Sequence, residues 1–346
     1  MFNQDIISIE IDSSNIKILV GNKKRVTFLG TIKTPEESFM DDRIINADLL
    51  AAEIGIYLRK NGVRVKDVGF VIRGKDIIIR HKEVPAVDIK SIRENVEWEF
   101  RQSLPQNGAN HYVDCELIEK NKTSAKVLVA AVTKGKVDNY IELANKLNLN
   151  IKVIDVSGNC TARVFKNFTN GKRVINSAGI IEVGKNSTNF IILDKGSLFM
   201  NREVSFGLST LYTEISRSTE EIAAAKDPYE YLVSHINLND LVHRNRFDDN
   251  GYEGRIINLF DNVFSSFIRA LEFYTAGKTN KELEMVFVVG EGCTIPGLGG
   301  YIKNYFTSQI AVVNSAKKLN VNIKLPAGFE LKDYINTLGL LMRKER

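Results

Sequence analysis

Cysteine, histidine and tryptophan are scarce in this sequence, and it has no long hydrophobic run. Each shortage removes a class of chemistry. The three cysteines, Cys115, Cys160 and Cys293, lie far apart and are odd in number, which argues for reduced thiols in a cytosolic protein rather than a disulfide framework. None belongs to a C-x-x-C pair, and the four histidines (His81, His111, His235, His243) form no H-E-x-x-H, so no zinc site is expected. Apolar runs such as Val127 to Val132 are far too short to span a bilayer. The opening residues, Met1-Phe2-Asn3-Gln4-Asp5, lack the basic and apolar regions of a signal peptide. A cytoplasmic location is therefore expected, with any membrane contact made through a partner. The net charge of +5 is dispersed, and its densest runs, Asn22 to Arg25 and Arg343 to Arg346, have no interleaved aromatics. Nucleic-acid binding is not expected.

What is present is ordinary in composition and ordered in pattern. A chain of 346 residues favours two domains, or one with a large insertion, and 44% apolar residues can fill sizeable cores. Ile6 to Ile11 and Ile16 to Val20 alternate around a polar turn and read as a hairpin. Asp48 to Lys60 reads as a helix that stops at Gly62, followed by strands Val68 to Ile72 and Ile77 to Val84. Asp88 to Leu104 carries a helical apolar stripe of Ile89, Ile92, Val96, Phe100 and Leu104. Strands at Tyr112 to Ile118 and Ala125 to Val132, a helix at Gly135 to Leu147 and a strand at Ile151 to Val156 complete a β-α-β-β-α-β pattern, that of a small split-βαβ insert. Gly179 to Val183 and Asn189 to Leu193 form a second hairpin. A largely helical stretch from Leu208 to Gly277, a strand at Met285 to Val289 and a helix at Tyr334 to Arg343 follow. Trp98, the single tryptophan, lies off its helix's stripe and is expected to pack against a neighbouring strand of the insert, with Glu94, Glu97 and Glu99 as a solvated face.

The two hairpins look like a repeat. Glu10 and Glu182 occupy matching places 172 residues apart, a spacing that suggests domain duplication rather than a solenoid. Each turn gathers small polar residues and backbone N–H groups, and two such turns facing one another can hold a polyphosphate. Asp12, Ser13, Ser14, Asn15 and Lys17 could serve on one side, and Glu182, Gly184, Asn186, Ser187 and Thr188 on the other. The plainer alternative, two ordinary hairpin turns, stays open. A third segment, Gly290-Glu291-Gly292 and the glycine-rich run after it, ends a buried-type strand. It is neither a P-loop, since Leu298 and Gly299 replace the required Lys and Ser/Thr, nor a dinucleotide fingerprint, since Ile295 replaces the third glycine. Its Gly-x-Gly bend lets backbone approach a flat ligand closely, or simply makes a tight strand-to-helix turn.

Hairpin, insert, second hairpin and glycine-rich loop together resemble the actin-like ATPase superfamily. Within it the chain resembles the PilM family of type IV pilus assembly and, more distantly, FtsA. Glu97-Trp98-Glu99 to Pro105, Ile268-Arg269-Ala270-Leu271-Glu272-Phe273-Tyr274 and Leu338 to Arg343 are similar to that family's Trp-Glu helix, "RSLDFY" helix and terminal "GLALR". The resemblance implies an α/β, two-lobed actin-like fold of duplicated ribonuclease H-like domains with a small α+β insert. Its expected parts are a first lobe at 1–82 and 153–177, an insert at 83–152, a second lobe at 178–207 and 285–346, and a mostly helical subdomain at 208–284.

The resemblance also implies ATP and magnesium as cofactors, with Glu10 and Glu182 at the metal and Gly290, Glu291 and Gly292 at the adenosine. As partner it implies the cytosolic N-terminal tail of a PilN-like inner-membrane protein, bound near Val68 to Pro85 and the Trp98 helix, with Arg80 and Trp98 as contacts. Other pilus assembly proteins and self-association belong to the same expectation. So does a place at the inner face of the membrane. The family's D-I-G-S-S turn has become Glu10-Ile11-Asp12-Ser13-Ser14, which puts a carboxylate where phosphate would approach and removes glycine's freedom to take positive φ. The second turn and the adenosine loop have drifted too. A scaffold without enzymatic turnover is therefore expected, the alternative being a nucleotide-hydrolysing or filament-forming protein related to FtsA.

Overall fold

Ile6–Ile11 is buried at every residue and Ser177–Val183 at all but its first, which strands sustain at the centre of a sheet covered on both faces. In the computed structural model each heads a five-stranded sheet of the same plan. The structure describes residues 4–166, 168–170, 173–216, 234, 237–240, 252–276, 282–319 and 321–343.

β1 (Ile6–Ile11), β2 (Asn15–Gly21) and β3 (Val26–Lys33) form an antiparallel meander. A small hairpin, β4 (Phe39–Met40) and β5 (Arg43–Ile44), leads to α1 (Ala47–Lys60), whose first turn is capped by the Asn46 side chain accepting from the Asp48 and Leu49 amides. β6 (Asp67–Ile72) returns parallel to β1. The chain then leaves the sheet for β7 (Ile78–Pro85), α2 (Ile89–Gln102), β8 (His111–Lys120), β9 (Ser124–Thr133) and α3 (Lys134–Leu147), and re-enters as β10 (Asn150–Val156), parallel to β6. Because β10 joins the first sheet and α3 packs on α1, only β7, α2, β8 and β9 of the expected split-βαβ unit form a sheet and core of their own. The reason is the buried face of α3, Tyr140, Leu143 and Ala144, which shares a core with Leu50, Ile54 and Leu58 of α1.

After α4 (Ser157–Phe165) and a short hairpin, β11 (Thr169–Asn170) and β12 (Arg173–Val174), the plan repeats. β13 (Ser177–Val183), β14 (Thr188–Asp194) and β15 (Ser197–Val204) form a second meander. α5 (Leu208–Ser216) and α6 (Tyr252–Thr275) come next, followed by β16 (Met285–Val289), α7 (Leu298–Ile302), β17 (Gln309–Val312) and α8 (Leu331–Leu341). β16 is parallel to β13, and β17 to β16. Of the helical stretch expected from Leu208 to Gly277, α5 and α6 are described. Most of the segment between them, with His235 and His243, lies outside the described residues, as do Lys344 to Arg346.

Each sheet has its own core on one side, and a third core fills the space between the sheets around α4 and α8. Those two helices touch at backbone distance. A Cβ on Gly339 would lie 2.0 Å from the Cys160 carbonyl oxygen, so no larger residue fits there without a shift. This contact brings α8 between the two lobes, where the site lies.

Candidate functional site

The two inner hairpins end in turns at matching register. Glu10 pairs with Lys17 across the first, and Glu182 with Asn189 across the second. The turns meet: Asn186 Nδ2 donates to Ser13 Oγ at 2.6 Å, while Asn186 Oδ1 accepts from Ser209 Oγ at 2.8 Å. The first turn is closed by its own side chain. The amides of Ser14 and Asn15 donate to Asp12 Oδ1 at 2.7 and 2.8 Å, an Asx turn that uses the donors a phosphate would need. Asp12 is not among the residues of positive φ, so this bend forms without a glycine there. The second turn receives α5 instead. The Leu208 and Ser209 amides donate to the carbonyls of Gly184 and Lys185 at 3.2 and 2.8 Å, and Gly184 N–H closes the turn onto Ser187 O at 3.0 Å. Thr188 is turned inward, its hydroxyl donating to Phe206 O at 2.7 Å.

Behind the turns lies a buried polar cluster. Glu10 is 2% exposed, Glu182 7% and Asn336 1%. Asn336 Nδ2 donates to Glu10 Oε1 and to Glu182 Oε1, each at 3.0 Å, and Thr161 donates its hydroxyl to Asn336 Oδ1 at 2.7 Å. Arg73 makes a charge-assisted bond to Glu10 Oε1. Burial works against the Arg73 charge, but Glu10 and Glu182 outweigh it and hold the guanidinium above its ordinary value. For Glu182 burial is the largest influence and wins, raising the carboxyl above the usual glutamate range despite Arg73. On the open side, Lys17 Nζ pairs with Glu291 Oε1 at 3.1 Å and lies 3.9 Å from Asp12 Oδ2. Burial disfavours this ammonium, but Glu291, Glu10 and Asp12 together hold it above its ordinary value.

Magnesium takes oxygen ligands in near-octahedral geometry and needs carboxylates that are free to face it. Glu10 and Glu182 are bound by Arg73 and Asn336, and among the described residues no three His, Cys, Asp or Glu side chains converge as a metal cage. The bonds to Arg73 and Asn336 would have to open before either carboxylate faced a magnesium ion. The glycines of the third segment also have a local explanation. Gly290 takes φ 86° and a Cβ there would lie 2.5 Å from Val183 O, while one on Gly292 would lie 2.3 Å from Val183 Cγ1. Their smallness lets the loop pack on β13, and Glu291 between them reaches across to Lys17.

Arg73, Asn336 and Thr161 escape a reading of the sequence alone. The available signals are an arginine directly after the apolar strand Val68 to Ile72, and the pair Asn336-Thr337 inside the otherwise apolar run from Ile335 to Leu341. Of the expected partner contacts, Arg80 lies exposed on β7, whereas Trp98 is 67% exposed and packs on no strand as a buried ring. The buried face of α2 is Ile92, Val96 and Phe100, and Trp98, two residues from each of the last two, points away from it.

Two cavities flank β7 and share Ile79 and Val156. One of about 180 Å³ lies between β8 and β9 on one side and β6 and β10 on the other, with Cys115, Ala130 and Ile72 in its lining and Asp114 and Glu116 among its charges. The other, about 1190 Å³, lies between β7, β15 and α6 and includes Arg80.

A model of the family described as type IV pilus assembly protein PilM matches residues 8–345. The chain is similar to a solved structure of a PilM–PilN type IV pilus biogenesis complex, at 19% identity and TM-score 0.73, covering 98% of each chain. It is similar to the ethanolamine utilization protein EutJ from Carboxydothermus hydrogenoformans, at 10% identity and TM-score 0.52, covering 97% of this chain and 88% of that one. It is also similar to MreB 5 of Spiroplasma citri bound to AMPPNP, at 12% identity and TM-score 0.54, covering 92% and 94%. At these identities the likeness establishes the fold, an actin-like α/β fold.

Proposed function

The chain belongs to the family of type IV pilus assembly protein PilM, matched over residues 8–345. From that premise we propose that it is a scaffold that binds the cytosolic N-terminal tail of a PilN-like membrane protein, and that its interlobe cleft is held by its own side chains rather than by nucleotide. The observation that carries the second half is Asn336, one amide group donating to a carboxylate of each lobe where an actin-like cleft would place metal and phosphate. Asp12 supports it by occupying the amides of its own turn. The first half is supported by the likeness to a chain of a PilM–PilN complex.

The tail's place is the smaller groove, between the first sheet and the separate sheet of β7, β8 and β9. An apolar floor with Asp114 and Glu116 in the lining suits a short apolar segment carrying a cation. Among the described residues no helix is long and apolar enough to cross a membrane, so the chain would reach the inner face through this partner.

The test is calorimetry with the tail peptide, with and without magnesium-ATP, on the native chain and on Ala130→Trp, which fills the groove. Saturable binding that ATP leaves unchanged and that Ala130→Trp weakens by about ten-fold or more is the expected result. No binding, or equal binding by the variant, overturns the placement. Phosphate release from magnesium-ATP that is lost in Glu182→Ala would favour an active ATPase instead.

A further inference from the structure

The larger groove is bounded by two free sheet edges. β7 is the terminal strand of the order β7-β9-β8, and β15 is terminal in β15-β14-β13-β16-β17. A terminal strand presents unpaired N–H and C=O groups along its outer side. The two edges are pinned together in two places without pairing as strands. His81 Nε2 lies 2.7 Å from Leu198 O and its ring stacks on Phe199, and Lys75 Nζ donates to Ser205 Oγ at 2.6 Å. Among the described residues no backbone hydrogen bond joins β7 to β15.

The charge of this groove is one-sided. Lys75, Arg80, Arg202 and Arg269 line it with Glu203 as the acid, and Arg73 is already engaged by Glu10. None of those four cations has an ion pair among the described residues. The wall opposite the edges is α6, where Arg269 and Phe273 stand one turn apart on one face. Phe273 is 69% exposed, a large apolar surface left in water beside a cationic one. Both residues belong to the Ile268 to Tyr274 stretch, for which the interlobe cleft provides no role.

We infer that this groove docks an extended, acidic segment of a partner polypeptide, which adds to the free edge of β7 or β15 while its carboxylates meet Arg80, Arg202 and Arg269 and an apolar side chain covers Phe273. Strand addition supplies sequence-tolerant backbone bonds, and the cations and Phe273 supply the selectivity. Nucleic acids and anionic lipids match the charge but have no peptide groups for an open strand edge. The inference goes beyond the tail-binding reading, because it concerns a second groove of opposite charge character.

The test uses fluorescence anisotropy with a labelled short peptide alternating glutamate and valine around one phenylalanine. Two controls accompany it: the same peptide N-methylated at alternate residues, and one with lysine for glutamate. The acidic peptide should bind saturably and weaken steeply with salt, and both controls should fail. The Arg80→Glu/Arg269→Glu pair should lose about ten-fold or more in affinity, and Phe273→Ser a smaller part. Urea midpoints of these variants should match that of the native chain, which verifies folding without reference to the tail and keeps this result separate from the fate of the first groove. No binding, equal binding of the N-methylated peptide, or indifference to the arginine pair overturns the proposal. Binding of single-stranded DNA or polyphosphate with the same arginine dependence, in place of the peptide, overturns the polypeptide assignment. Self-association abolished by the same substitutions would replace the partner with a second copy of this chain.

Discussion

The two lobes share a strand plan but have diverged at the positions that face each other. Val71 and Val289 occupy equivalent places beside Glu10 and Glu182 in their parallel pairings. Two residues further on, the first lobe carries Arg73 and the second Glu291, opposite charges at one structural position. Lys17 in the first lobe answers to Asn189 in the second. The consequence is complementarity. Arg73 serves the carboxylate of its own lobe, while Glu291 reaches the lysine of the other. The turns differ likewise, the first closed by Asp12 and the second by the start of α5. A duplicated fold whose halves keep identical groups would confront like with like across the cleft. Here divergence has made the halves ligands for each other.

The asymmetry can be broken at its strongest point. Arg73→Met leaves Glu10 buried without a cation and should cost about 3–5 kcal/mol by urea unfolding, whereas Glu291→Gln at the equivalent place should cost about 1–3 kcal/mol. Equal costs would remove the distinction. Asn336→Leu removes a hydrogen bond from two buried carboxylates at once and should cost about 2–3 kcal/mol. Scanning calorimetry should then resolve two transitions where the native chain has one, since the shared amide is lost from both lobes.

The pH response should differ in sign between the lobes. Burial raises the Glu182 carboxyl, so its contribution is fully present below the ordinary glutamate value and is lost as pH rises through the folded value. Glu182→Gln should remove that decline. At Asp155 burial pushes the carboxyl up, but Arg163 and Arg343 outweigh it and hold it below its ordinary value. Its contribution is present above the ordinary aspartate range and is lost as pH falls through the folded value, so the cost of Asp155→Asn should vanish in acid. Urea midpoints across acidic to neutral pH check both. The smallest stability effect, about 1 kcal/mol, belongs to Asp12→Gly. It sharpens the comparison by freeing the Ser14 and Asn15 amides, and the variant should bind pyrophosphate in calorimetry where the native chain does not.

The hairpins, α1, α2 and the insert strands are legible in the sequence because alternation, helical stripes and polar turns are local signals. α4 is not, because Ser157 to Arg163 is small and polar with no apolar stripe, yet the helix is buried between the sheets. β3 is half exposed and its alternation is broken by Gly30 and Thr31. The cluster is harder still. Arg73 lies 63 residues from Glu10, and Asn336 lies 326 from it, separations over which no periodicity reports contact. The glycines of the third segment were visible, but what they make room for was not: Val183 of the adjoining strand fills that space.

α8 is translated after every strand of both sheets. Glu10 and Glu182 are therefore in place on a nascent chain well before the helix that joins them exists. Synthesis runs from the N-terminus and domains fold as units, so before α8 emerges the lobes are joined without it, by contacts such as Asn186 with Ser13 and Glu291 with Lys17. Closing the core between the sheets is thus a late step, and a chain stalled before Leu331 would leave exposed to chaperones the apolar surface that Leu338, Leu340 and Leu341 cover.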